Sequence, residues 1–356
     1  MVPGEKMRDI NVAVAGVGNC CSALVQGIEY YSSKETNMGL LHDKIGQYGV
    51  EDIRFVAAFN IDKKKIGKDL SSAIFSEPNK APKYTEVNNL GVEVMMGPAP
   101  DRLQKESMTK LVKANDDPVN LTQVLENKKA DILVNLISGG SDKASRLYAE
   151  ACLEAGCGFI NATPSGVVNN LALTSEFKKK GLPMAGDDLM SQIGATALHM
   201  GLLEFMDERG VHIDESYQLD VGGGSESINT LEKTREIKRH IKTEAVKSVL
   251  PYNFDLVSGS ADFVDFLVNG RDSFLFFKGK YFTGAEFTVD IKLSTEDAPN
   301  AGSILFDVIR GTRIAIDRGI SGAVDALCAY GFKRPPKHYN LEESYRKFKE
   351  FIRDDK

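Results

Sequence analysis

No stretch of this 356-residue sequence approaches the ~18 consecutive apolar residues of a membrane-spanning helix. The charged start, Met1 to Asp9, leads only into a strand-length apolar run, and the expected location is the cytoplasm. Disulfide and metal frameworks are also missing. Cys20, Cys21, Cys152, Cys157 and Cys328 lack paired metal-ligand spacing, and their odd number suits free thiols in a reducing compartment. Excess positive charge is lacking too: 44 Lys and Arg against 50 Asp and Glu give a net charge of −6, which argues against a general nucleic-acid surface. No internal repeat interrupts the chain. What remains is a composition of 42% hydrophobic and 26% charged residues, ordinary for a globular protein and long enough for two domains.

The chain is organised around residues 10 to 27. A short, apolar, β-branched run, Ile10 to Ala15, enters a turn with two glycines one residue apart, Gly16 and Gly18, and the residues from Ser22 to Tyr31 are helix-compatible. Strand, phosphate turn and helix follow one another. Gly16 would permit the tight turn, and Gly18 would let a pyrophosphate approach the backbone at the positive end of the helix. Cys21 stands where the third glycine of the dinucleotide fingerprint is expected, so the turn alone leaves an ordinary βα turn open.

Beyond it, Ser32 to Gln47 reads as a surface insertion, and Ile53 to Asp62 as a second strand. Asn60 and Asp62 end that strand where an acidic residue commonly grips the adenosine ribose, the alternative being a solvated strand end before Lys63-Lys64-Lys65. Ser76 to Ser107 is Pro-, Asn- and Gly-rich loop around a short strand, Val92 to Met96. Asp131 to Ile137 reads as a buried parallel strand closed by Ser138-Gly139-Gly140-Ser141, with a helix from Asp142 to Ala155. Strands and loops recur at Gly158 to Pro164, which includes Ala162 and Thr163, and at Leu182 to Asp188. This alternation predicts a doubly wound parallel sheet with ligands at the carboxyl ends of its strands. The pattern then changes. Ser216 to Val221, Phe274 to Phe277 and Glu286 to Leu293 read as antiparallel strands of a second domain, before a long helix, Ser303 to Arg318, returns to the first. The tail, Leu341 to Lys356, reads as a charged, peripheral helix.

Several stretches, in order along nearly the whole chain, resemble the archaeal and actinobacterial branch of myo-inositol-1-phosphate synthase (L-myo-inositol-3-phosphate synthase). They are Val12 to Ser22, Phe55 to Asp62, Gly186-Asp187-Asp188 with Ser191-Gln192 and Gly194-Ala195-Thr196, Val221-Gly222-Gly223, Glu296 to Ala301, and Tyr330 to Pro336. The resemblance implies a Rossmann-like doubly wound parallel sheet, residues 1–197 and 297–356, with an inserted α+β catalytic and tetramerisation domain, 198–296. It implies a cytoplasmic homotetramer that binds NAD and a sugar phosphate and engages neither nucleic acid nor membrane. Glucose 6-phosphate would become inositol phosphate by C5 oxidation, enolisation, aldol closure and re-reduction. Cations are then needed at the C5 and C1 oxygens and at the phosphate.

On that resemblance the candidate catalytic residues are Lys238, Lys242, Lys333, Asp297, Asp188 and Arg271. Lys238 and Lys242 lie four apart, hence on one helical face, although Lys238 to Lys242 read alone is a solvated face. Candidate cofactor contacts are Gly16, Gly18, Asn19, Cys20, Asn60, Asp62, Ser138, Ala162, Thr163 and Asp187. For Asp187 and Asp188, helix N-capping is the structural alternative. No residue is assigned to a metal, and a divalent or monovalent cation is left open. Four departures touch the expected pocket: Met190 and Arg271 replace family lysines, Gly224-Ser225-Glu226 replaces Asn-x-Asp after the double glycine, and Asn60 replaces an acidic residue. They leave two further readings open, a cyclase for another sugar phosphate, such as fructose 6-phosphate or a pentose phosphate, and a catalytically silent NAD-binding regulatory protein.

Overall fold

The computed structural model describes residues 9–34, 36–99 and 111–353. Most of the charged start, the end of the Pro-rich loop and the last residues of the tail lie outside the described residues. The first layer of the chain comprises β1 (Ile10–Ala15), α1 (Asn19–Ser33), β2 (Ile53–Asn60), α2 (Leu70–Ala73), β3 (Val94–Met96), α3 (Leu121–Asn127), β4 (Ile132–Asn135), α4 (Asp142–Ala155), β5 (Gly158–Asn161), α5 (Leu171–Lys179) and β6 (Pro183–Gly186). An inserted unit follows, with α6 (Ala195–Glu208), β7 (His212–Gly222), α7 (Ser225–Asn229), α8 (Arg235–Lys247), β8 (Asp255–Phe263), β9 (Gly270–Lys280) and β10 (Glu286–Glu296). The chain then returns through α9 (Pro299–Asp317), β11 (Gly322–Ala323), α10 (Asp325–Gly331) and α11 (Leu341–Ile352).

Seven strands form a parallel sheet in the order β11-β6-β5-β4-β1-β2-β3. Its central strands are apolar on both faces because helices cover both, which is why their sequences are continuous rather than alternating. Ile10, Val12, Val14, Leu133 and Phe159 are fully buried. The winding reverses between β1 and β4, so the crevice of this doubly wound sheet opens there. Gly16 explains the closeness of that seam. Its φ is +94°, and a Cβ there would stand 2.6 Å from the Leu136 carbonyl.

The inserted sheet has the order β10-β9-β7-β8: the three strands expected from sequence, β7, β9 and β10, pair antiparallel, and β8 adds a fourth. β7 pairs antiparallel with β9 but parallel with β8, because α8 carries the chain back across the sheet between them. β8 has no signature in sequence, being rich in Ser, Gly and Asp. Its core, with α6 and α8 over one face, collects Met190, Met200, Leu203, Val246 and Phe277, so this second core reaches back beyond residue 198.

Two peripheral segments are anchored by buried side chains. The insertion after α1 lies at the surface, as expected, and is tied to α9. Fully buried Arg310 donates to the carbonyls of His42 and Asp43 at 2.8 Å each, and Asp307 holds His42 Nδ1 and Tyr330 Oη at 2.7 Å. The tail helix is docked too. Phe348 is fully buried and stacks on Tyr330 with ring centroids 3.9 Å apart. All five cysteines are unpaired, and among the described residues no helix is long and apolar enough to cross a membrane.

His199 of α6 is completely buried, its Nε2 2.8 Å from Ser216 Oγ, which itself donates to the Phe276 carbonyl. Burial pushes its pKa down to about 4, against the opposing pull of Gln218 and Asp220. Between that value and the unfolded value near ~6.5 only the unfolded chain takes up the proton, so this contribution is whole above the upper limit and disappears as pH falls toward the lower one. His199→Gln should therefore flatten the acid loss of stability by up to about 3 kcal/mol. Urea unfolding of both proteins at neutral pH and between the two pKa values measures the difference, and parallel losses would show that His199 does not titrate on unfolding.

Candidate active site

A ladder of polar side chains fixes the strand ends. In-register Asn135 and Asn161 join β4 to β5 by an Nδ2 to Oδ1 hydrogen bond of 3.0 Å, and Asn161 Nδ2 donates to Asp187 Oδ1 at 2.6 Å. Asp187 also accepts from the Val168 and Asn169 backbone N–H groups and from Asn169 Nδ2. Burial still raises its pKa, although these four donors oppose that shift. Asp187 is thus turned into the scaffold. It does not line the cavity described next and caps none of the described helices, so its carboxylate is engaged away from the expected cofactor. Its neighbour Asp188, at a φ of +58°, points the other way.

There it meets a cavity of about 220 Å³ between the two sheets. Gly18, Asn19, Cys20, Ser138, Ala162, Thr163 and Asp188 line one side, and Asp220, Glu226, Lys238, Lys242 and Arg271 the other. Asp297 and Lys333 complete it. All six candidate catalytic residues are therefore brought together, since the two ends of the insertion bring α8 and β9 against the strand ends. Each cation has a carboxylate. Lys238 pairs with Glu226, and Lys242 with Asp220. Lys333 lies 3.2 Å from Asp188, and Arg271 grips Asp297 with two prongs of 3.0 and 2.7 Å.

These pairs set the protonation states. Burial works against charge on Lys238, but Glu226 and Asp188 outweigh it and hold the ammonium above its ordinary value. Lys333 goes the other way, lowered by burial and by Lys238 and Lys242, against the attraction of Asp188. Burial opposes ionisation of Asp188, Asp220 and Asp297 as well, yet the adjacent cations keep all three below the usual carboxylate range. Burial, with Asp297 and Glu226 nearby, pushes the Cys20 thiol up to about 12, so it stays neutral. The cavity thus lowers the proton affinity of Lys333 while raising that of Lys238.

The glycine turn suits a diphosphate. A Cβ added at Gly18 would meet nothing within 4 Å, and Gly18 opens α1 as its N-cap residue. Lys65 was hidden in an apparently solvated Lys run, but it is buried beneath this turn, with Nζ 2.6 Å from both the Val17 carbonyl and Asn79 Oδ1. A trans peptide points its C=O and N–H in opposite directions. By holding the Val17 carbonyl inward, Lys65 aims the Gly18 N–H outward at the cavity. Asn60 and Asp62 serve their own turn instead: Asn60 Oδ1 accepts from Ile61 and Asp62, and almost fully buried Asp62 accepts from Lys64. Neither lines the cavity, so the structure gives no support to their place on the ribose. Met190 also stands elsewhere. It faces a separate cleft beside Glu204 and Leu341, so the lysine lost at 190 is not missing from the cation cluster.

Residues 194–298, which span the whole inserted unit and include Asp297, match the family model described as myo-inositol-1-phosphate synthase. The chain is 37% identical over 355 residues to the inositol-3-phosphate synthase of Mycobacterium tuberculosis, covering 98% of this chain and 97% of that protein. The chain belongs to the myo-inositol-1-phosphate synthase family. The inositol-3-phosphate synthase of Corynebacterium glutamicum is 37% identical over 96% of this chain and 98% of its own length. Among solved structures, that of Ari2 is 31% identical, with a TM-score of 0.78, over 97% of this chain and 99% of that one. Within the matched region, Lys238 and Lys242 stand four apart on α8 and both line this cavity.

If Asp187 is scaffold, Asp187→Ala should cost about 2–4 kcal/mol by stranding several buried donors, as denaturant unfolding would read. A loss within about 0.5 kcal/mol would show that water replaces the carboxylate.

Proposed function

We propose that this chain is an inositol-3-phosphate synthase, an isomerase that converts D-glucose 6-phosphate to 1L-myo-inositol 1-phosphate with NAD as its resident cofactor. The observation that carries the reading is the convergence of Lys238, Lys242, Lys333 and Arg271 at the end of the crevice beside the glycine turn. When bound, NAD would take up and return a hydride. Gly18, Asn19, Ser138, Ala162 and Thr163 would hold it.

The chain's own side chains supply the rest. Lys333, with its lowered pKa, is the group fitted to accept and return the proton of the hydroxyl being oxidised, and Asp188 holds its Nζ in place. Lys238, locked in its charged form, would stabilise negative charge on an enolate or alkoxide oxygen. Lys242, fixed by Asp220, and Arg271, fixed by Asp297, would serve the remaining oxyanions and the phosphate. Arg271 uses Nε and Nη2 on Asp297, which leaves Nη1 outside that pair. Glu226 on Lys238 and Arg271 in place of a lysine favour a second reading, the same chemistry on another sugar phosphate. The outward face of the inserted sheet, with Leu219, Val257 and Phe274 more than a third exposed, supports a homotetramer built through it. Domain limits at 1–197, 198–296 and 297–356 and a cytoplasmic location belong to the same proposal.

Incubation with NAD⁺ and a panel of glucose 6-phosphate, fructose 6-phosphate and a pentose phosphate, read by NMR, tests substrate and ring formation together. The expected result is inositol phosphate from glucose 6-phosphate with no net NADH absorbance. Stoichiometric NADH would indicate a dehydrogenase, and a ring from another sugar the second reading. Lys238→Ala should lower the rate by on the order of 10² or more. Lys333→Arg should lower it comparably and remove the acid limb of the pH profile, because a group that must first accept a proton gains activity as pH rises through its pKa, here below that of a free lysine.

The turn is tested separately by calorimetry. Gly18→Val, which fills the open space, and Lys65→Met, which leaves the Val17 carbonyl only its 3.3 Å hydrogen bond from Asn79 Nδ2, should each weaken NAD⁺ binding about tenfold. Wild-type affinity in both would remove the turn from the cofactor site.

A further inference from the structure

Gly224 is not required by the backbone. Its φ of −84° and ψ of 164° are extended values that any residue adopts, and a Cβ built there has no neighbour closer than 3.9 Å. Two atoms stand at that distance, Asn19 Nδ2 and Asn269 Oδ1. Both residues, with Gly224, line the active cavity. They come from opposite sides of the seam, Asn19 from the first residue of α1 and Asn269 from the residue before β9.

Each amide is held in one orientation. Asn19 Oδ1 accepts from the backbone N–H groups of Lys80 at 2.7 Å and Ala81 at 3.0 Å, so its NH₂ must face away from them. Asn269 Nδ2 donates to Glu296 Oε2 at 3.3 Å, and the Asn269 carbonyl accepts from Asp297 N. That leaves Asn269 Oδ1, on a side chain only 2% exposed, buried and without a hydrogen-bond partner among the described residues. A buried acceptor without a donor is costly, and native structures seldom keep one without a use. An Asn at 224 could satisfy both groups with its own amide. The glycine leaves them facing a gap.

We infer that Gly224, Asn19 and Asn269 form a hydroxyl subsite, in which one ligand hydroxyl accepts from Asn19 Nδ2 and donates to Asn269 Oδ1. A hydroxyl is the smallest group that matches one donor and one acceptor converging on the same space. The sugar phosphate carries it: Gly224 lines the same cavity as Lys333, Lys242 and Arg271, and Glu226, two residues on, pairs with Lys238 of the cation cluster that this reading gives to the substrate. The inference rests on the proposed cyclase reading and names a determinant of its substrate.

The test compares glucose 6-phosphate with its 2-, 3- and 4-deoxy counterparts on wild type, Gly224→Asn and the milder Gly224→Ala, with KM, NAD⁺ affinity and thermal midpoint recorded for each. In the wild type, one deoxy sugar should show KM raised about tenfold. Gly224→Asn should raise KM for the parent sugar by a similar factor and erase its advantage over that deoxy sugar, with NAD⁺ affinity and midpoint unchanged. Equal KM for all deoxy sugars in the wild type, or an unaltered KM in both variants, would overturn the inference. So would an effect confined to NAD⁺ affinity, which would give the gap to a cofactor hydroxyl. If glucose 6-phosphate is not turned over, the functional reading falls separately, and the deoxy series is made from whichever sugar phosphate of the panel binds.

Discussion

Four cations share one small cavity, and they can do so only because Asp188, Asp220, Glu226 and Asp297 stand against them. An unpaired ion in such a place would cost several kcal/mol or lose its charge. The pairing therefore constrains everything that carries it: the turn after β6, the two inner strands of the inserted sheet, α7, α8, the link from β10 to α9, and the segment after α10. None of these could shift alone without stranding a charge. The protein spends packing specificity here, and the result is a set of donors already oriented before any ligand arrives.

The scaffold repeats this logic with neutral groups. The Asn135, Asn161 and Asp187 ladder ties three neighbouring strand ends, and the same peptide turn that buries Asp187 presents Asp188 to the cavity. Opposite it, residues 79 to 81 bridge the two units. Asn79 meets Lys65 beneath the glycine turn, the backbone at 80 and 81 meets Asn19, and Lys80 Nζ reaches Asp265 at 2.6 Å. The last contact is exposed and contributes little by itself. The backbone N–H groups of Lys80 and Ala81 are what fix which side of Asn19 faces the site.

Much of this was legible before the structure. Apolar runs of strand length closed by Gly, Ser or Asp mark β1, β4, β5 and β6, and period-3.6 apolar spacing marks α9, because those elements are buried in the way that writes a pattern. β8 escaped, since a Ser- and Gly-rich strand beneath a helix has no alternation to read. The lysine pair at 238 and 242 gave a shared face by spacing, but only the fold shows which carboxylates hold it. Lys65 and Met190 mark the limit. One looks solvated in a run of three lysines and is buried, and the other looks like a lost catalytic cation and faces a different cleft. Residue type and spacing do not encode the direction of a side chain at a strand end or in a tight turn. Asp187 and Asp188, adjacent and alike, point to opposite duties for the same reason.

The inserted unit leaves after β6 and returns at α9, and Asn300 stitches the two ends together through Gln192 and Ile193. During synthesis this means that the first sheet emerges without α9, which covers one of its faces, and without β11, its edge strand. Roughly 110 residues, 187 to 298, must be translated first, which at ordinary elongation rates takes on the order of 10 s. Through that interval the apolar face that α9 will occupy stands open on the nascent chain, a natural place for a chaperone to bind.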